Sequence, residues 1–123
     1  MLTLVDTSVW IDFFRSQDEA LEQLLKANEV LSHSMVIGEL ALGYFKDRKN
    51  VLNLLKSLPK LPTKADKEVI SFIETHQLIS KGIGWVDVHL LTAVSHSDNT
   101  QLWTRDKRLK KVSDSLGLSS PLI

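Results

Sequence analysis

The sequence contains no cysteine, which excludes a disulfide framework, a thiolate zinc site and a cysteine nucleophile and makes a reducing cytoplasm the simplest setting. It also lacks any apolar run near the roughly 20 residues of a membrane-spanning helix. The opening stretch from Met1 to Val5 meets Asp6 too soon to be the apolar region of a signal peptide. A cytoplasmic protein with no membrane contact is expected. Net charge is missing too: 15 Lys and Arg balance 15 Asp and Glu, so only local clustering could attract a polyanion. Repeats, linkers and low-complexity segments are absent. What is present, 123 residues with 43% hydrophobic and 24% charged, has the proportions of one compact domain over residues 1–123.

Leu2 to Val5 reads as a short buried strand that stops at Asp6, Thr7 and Ser8, polar residues able to cap a helix. Helical patterns follow from Val9 to Arg15 and from Glu19 to Ala27, with a second strand from Glu29 to Ser32. From Met35 to Phe45 apolar residues cover most of a helix, which predicts heavy burial, yet Glu39 sits in its middle. Val51 to Leu58 continues as a helix, Pro59 and Pro62 mark an extended connection, and Thr63 to Ile79 resumes helical spacing. After Gly82 and Gly84 a helix from Val86 to Ser97 carries Asp87 in its first turn. Gln101 to Thr104 is a third strand, followed by a basic helix from Asp106 to Leu116 and an apolar stretch from Leu118 to Ile123. Short strands alternating with helices predict an α/β fold with a mostly parallel sheet, because parallel neighbours need crossover connections.

Such sheets bind ligands at the carboxyl ends of their strands. Asp6 and Asp106 follow two of those ends, where Glu39 and Asp87 can join them from helices. Four carboxylates in one pocket repel each other and raise each other's pKa. A divalent cation removes the conflict. All-oxygen ligands suit Mg²⁺ or Mn²⁺, which can activate water for phosphodiester cleavage. The competing reading of each Asp is helix capping, whereas a carboxylate in so apolar a helix as that of Glu39 needs a partner.

VDTSVWIDFF at 5–14, Glu39-Leu40 followed by Gly43, GWVDVHLLTA at 84–93 and LWTRDKRL at 102–109 together resemble PIN-domain ribonucleases of the VapC toxin type. The resemblance implies a three-layer αβα sandwich with a mostly parallel central sheet. It implies that Asp6, Glu39, Asp87 and Asp106 are the four catalytic, metal-holding acids, and that Ser8 and Thr104 support them. It further implies a Mg²⁺- or Mn²⁺-dependent endoribonuclease acting on RNA, a homodimer, and a neighbouring-gene antitoxin protein as partner. No acid of the pattern is missing.

Arg105, Lys107, Arg108, Lys110 and Lys111 form a basic cluster that is either a solvated helix face or an RNA contact beside the acids. His33, His76, His89 and His96 are spread out and read as surface or capping residues, not zinc ligands. Trp10, Phe13 and Phe14 read as core or interface packing before base stacking. Two rival functions remain. A haloacid-dehalogenase-like phosphatase needs a second acid two residues after the first, where this chain has Ser8. A non-catalytic RNA-binding or protein-docking module would use the acids only as caps and ion-pair partners.

Overall fold

The computed structural model describes residues 1–122. Along the chain it places β1 (Leu2–Val5), α1 (Thr7–Arg15), α2 (Glu19–Lys26), β2 (Val30–Leu31), α3 (Ser34–Ala41), α4 (Arg48–Ser57), α5 (Asp66–His76), α6 (Trp85–Ser95), β3 (Thr100–Trp103) and α7 (Lys107–Ser115). The sheet order is β2-β1-β3, and both pairings are parallel, with Thr3 opposite Val30 and Val5 opposite Trp103. Single parallel bridges widen it at both edges, Ser32 with Lys60 beyond β2 and Leu102 with Ser119 beyond β3. The Pro59–Pro62 connection is therefore a sheet edge, where a residue without an N–H is tolerated. The C-terminal stretch supplies the other edge up to Leu122, and its last residue, Ile123, lies outside the described residues.

Side chains on a strand alternate between faces. Thr3, Leu4 and Val5 are all buried, so helices cover both faces of β1 and the sheet is the middle layer. α6 explains itself the same way: Val88 through Val94 are buried without interruption, as expected of a helix enclosed on all sides. Trp10, also fully buried, stacks on Phe14 and meets the edge of Phe13.

Two helix readings change. The segment from Met35 to Phe45 is not one heavily buried helix, because α3 ends at Ala41 and inserts Val36 and Leu40 into the core while Leu42 and Tyr44 stand 91% and 97% exposed. Arg48 caps that end by donating to the Ala41 carbonyl. The pattern from Thr63 to Ile79 shortens to α5, which stops at Gln77 in the left-handed region. Among the described residues, no helix is long and apolar enough to cross a membrane.

Candidate active site

Asp6 follows β1 and is the N-cap of α1; Asp106 follows β3 and is the N-cap of α7. Because β1 and β3 are adjacent and parallel, their carboxyl ends deliver these acids to the same edge of the sheet. The two loops are tied together by hydroxyls. Ser8 Oγ and Thr104 Oγ1 both donate to Asp6 Oδ2, at 2.7 and 2.8 Å. In return Ser8 Oγ accepts the Arg105 N–H at 2.9 Å, and Thr104 Oγ1 accepts the Asp106 N–H at 3.1 Å. Each hydroxyl thus spends its one proton on Asp6 and accepts from the loop after β3, so that Ser8 crosses between the loops through its lone pair and Thr104 through its proton.

Glu39 reaches the site from α3, where the Thr7 hydroxyl donates to its Oε1 at 2.7 Å. It is an exposed residue. The partner that its apolar neighbourhood called for exists, but the burial behind that reasoning does not. Asp87 lies in the first turn of α6 and accepts the Gly84 N–H on Oδ2 at 3.0 Å, one half of a capping box. Burial first, and then the charges of Asp6, Asp106 and Glu39, push the Asp87 carboxyl up from the usual range against the pull of the Gly84 N–H. The other three acids are therefore within electrostatic reach of Asp87.

A common arrangement runs through the four. Asp6 is held on Oδ2, Glu39 on Oε1, Asp87 on Oδ2 and Asp106 on Oδ1, which accepts the N–H groups of Arg108 and Leu109. The second oxygen of each carboxylate takes no hydrogen bond from the described residues. Capping and ligand binding are not alternatives here, because they use different oxygens. The set stays open, however: among the described residues no three His, Asp or Glu side chains are grouped closely enough to hold a metal ion as they stand.

The PIN domain profile matches residues 3–115, from the first strand to the end of α7. This chain belongs to the PIN domain family. It is also 42% identical over 118 residues to Ribonuclease VapC32 from two strains of Mycobacterium tuberculosis, covering 96% of this chain and 95% of the relative. In this PIN domain the basic cluster divides. Arg105 turns away from solvent: its guanidinium lies over Trp103 at 5.3 Å, bonds to Asp12 at 2.9 Å and pairs with Asp18, whose carboxyl it holds below the usual range. Lys110 pairs with Asp114 one turn on. Lys107, Arg108 and Lys111 are exposed and without an ion pair among the described residues.

The histidines also move. His89 is 1% exposed and His33 fully buried, their rings 6.4 Å apart, so neither is a surface residue. His33 does cap, accepting the Met35 N–H on Nδ1. Thr7 was missed as a partner of Glu39 because 32 residues separate them, and no local pattern signals such a pair.

Proposed function

We propose that this PIN domain, over residues 1–123, is a Mg²⁺- or Mn²⁺-dependent endoribonuclease, the toxin of a toxin-antitoxin pair, with Asp6, Glu39, Asp87 and Asp106 as its catalytic acids. The observation that carries this is the charge of Asp6, Asp106 and Glu39 acting on the half-buried Asp87, which with burial disfavours its ionised form in the protein alone. The donor set is all oxygen, which fits a hard divalent ion. Since the acids are not drawn into a closed cluster, such an ion would keep several waters, as Mg²⁺ prefers. When bound, it supplies Lewis-acid stabilisation of phosphodiester oxygens and a more acidic water.

The chain's own residues supply the rest. The Ser8 and Thr104 hydroxyls fix the Asp6 carboxylate, so that its free oxygen is presented without reorganisation. Thr7 steadies Glu39, and the Gly84 N–H steadies Asp87. Ionised carboxylates accept hydrogen bonds and orient an attacking water, whose proton one of them can take. His33 and His89 are buried and play no part in that step.

A cytoplasmic setting, a homodimer and a cognate antitoxin that covers the acids go with this reading. The test is cleavage of cellular RNA by the purified chain with Mg²⁺, with Mn²⁺ and with excess chelator, beside Asp6→Asn. Cutting that needs the ion and Asp6 is expected. Full activity in chelator, or in the variant, overturns the assignment, and an unchanged Mn²⁺ affinity in the variant would point to a docking module.

A further inference from the structure

A groove of about 460 Å³ opens between the turn after α5 and the flank of α7, lined among others by Gln77, Ser80, Lys81, Arg108 and Lys111. Its three cations come from separate pieces of chain, Lys81 from the turn and Arg108 and Lys111 from one face of α7. None of them is in an ion pair among the described residues, and no Asp or Glu lines the groove. Cations gathered in a concave surface repel one another until an anion enters between them. The turn leaves room for Arg108 there. Gly82 has φ +78°, and a Cβ on it would come within 2.9 Å of Arg108 Cδ, so the side chain lies over a position that glycine alone leaves open. Arg108 also joins the groove to the acids: Asp106 Oδ1 accepts its N–H, and the turn beneath it runs on to Gly84, which holds Asp87.

We propose that this groove is a phosphate-binding subsite that takes the RNA backbone on one side of the scissile bond through Lys81, Arg108 and Lys111. The proposal rests on the ribonuclease reading and narrows it. It also redraws the basic cluster seen in sequence, adding Lys81 and removing Lys107, which does not line the groove, together with Arg105 and Lys110, which pair with carboxylates of the chain.

The test is a Lys81→Gln/Lys111→Gln double variant, two exposed positions. Binding of a labelled single-stranded RNA is measured against salt in Mg²⁺ on an Asp87→Asn background, so that the RNA stays intact, and KM and kcat are measured with Asp87 in place. Loss of two phosphate contacts should weaken binding and reduce the slope of log K against log salt by about 1.4. KM should rise several-fold more than kcat falls. An unchanged slope and KM overturn the subsite. So does an unchanged RNA slope with weakened binding of poly-glutamate, which would make the groove an acidic-peptide site. A parent protein that neither binds nor cuts RNA fails the ribonuclease reading itself, a result visible before the double variant is made.

Discussion

Asp87 carries a half-buried carboxyl surrounded by the charge of three others, and both effects raise its pKa in the folded protein. A folded pKa above the unfolded one means that the metal-free protein is favoured at low pH and loses stability as pH rises through the raised value. Asp87→Asn removes that charge with little change of shape, and the amide oxygen can still accept the Gly84 N–H. In chelator the variant should be more stable than the parent, by at most about 1 kcal/mol after solvent screening, or a melting temperature about 2–4 °C higher. RNA cleavage should fall about 100-fold or more, beyond the loss typical of a residue that only supports a ligand. Calorimetry and a cleavage assay on the same samples check both halves. A variant that is less stable in chelator, or still active, removes Asp87 from the site.

At the scale of elements, two devices hold the site's helices in place. His33 caps α3, the helix that carries Glu39, from a fully buried position beside His89, and the buried His33 Nε2 and both His89 nitrogens have no hydrogen-bond partner among the described residues. Burial, and then the neighbouring His89, pushes the His33 imidazole down to about 4. The folded state therefore refuses a proton that the unfolded chain takes up below about pH 6.5. Stability is lost as pH falls from there toward 4. Urea unfolding at pH 7 and pH 5 should show a loss of about 1–2 kcal/mol that His33→Asn removes, since asparagine caps well and does not titrate. Equal losses in parent and variant would clear His33 of this role. Arg105 is the second device: it pins the loop before α7 to Asp12 of α1 and to Asp18, the N-cap of α2. Lysine cannot span two carboxylates in a planar fork. Arg105→Lys should cost about 1 kcal/mol and leave the salt dependence of RNA binding unchanged; a shallower slope would return Arg105 to the RNA interface.

Across the whole molecule acids and bases are equal in number, yet Asp87 feels the negative charge of Asp6, Asp106 and Glu39 while Lys81, Arg108 and Lys111 line one groove. Carboxylates that repel one another in this way are relieved once a cation binds, so on the nuclease reading Mg²⁺ should act as a stabilising ligand. At one hundred times its dissociation constant the ion would add about 2.7 kcal/mol to the parent protein. The order seen in chelator should then reverse, with the parent melting above Asp87→Asn. Melting curves over a Mg²⁺ series test this, and parallel curves for the two proteins would contradict it.

By itself the sequence determined what short-range physics determines. The mainly apolar run Leu2–Val5 before Asp6 and a short apolar run before Thr104 announce strands that end in helix caps, and the alternation of strands with helices points to a parallel sheet. From these the places of Asp6 and Asp106 follow, Glu39 and Asp87 stand out as acids that can join them from helices, and the PIN resemblance gives all four a metal-holding role. Tertiary structure alone decided which partner waits across each gap. Glu39 is exposed and tied to Thr7, Arg105 is captured by Asp12 and Asp18, His89 is enclosed, and Lys81 faces Arg108 across a groove. The apolar pattern around Glu39 misled because Leu42 and Tyr44 continue it past the end of α3 into solvent. The reason is common to all of these. Periodicity and capping record how a residue sits on its own element, whereas a charge or a hydroxyl is satisfied by whatever the crossovers bring opposite it, and that depends on every connection in the chain.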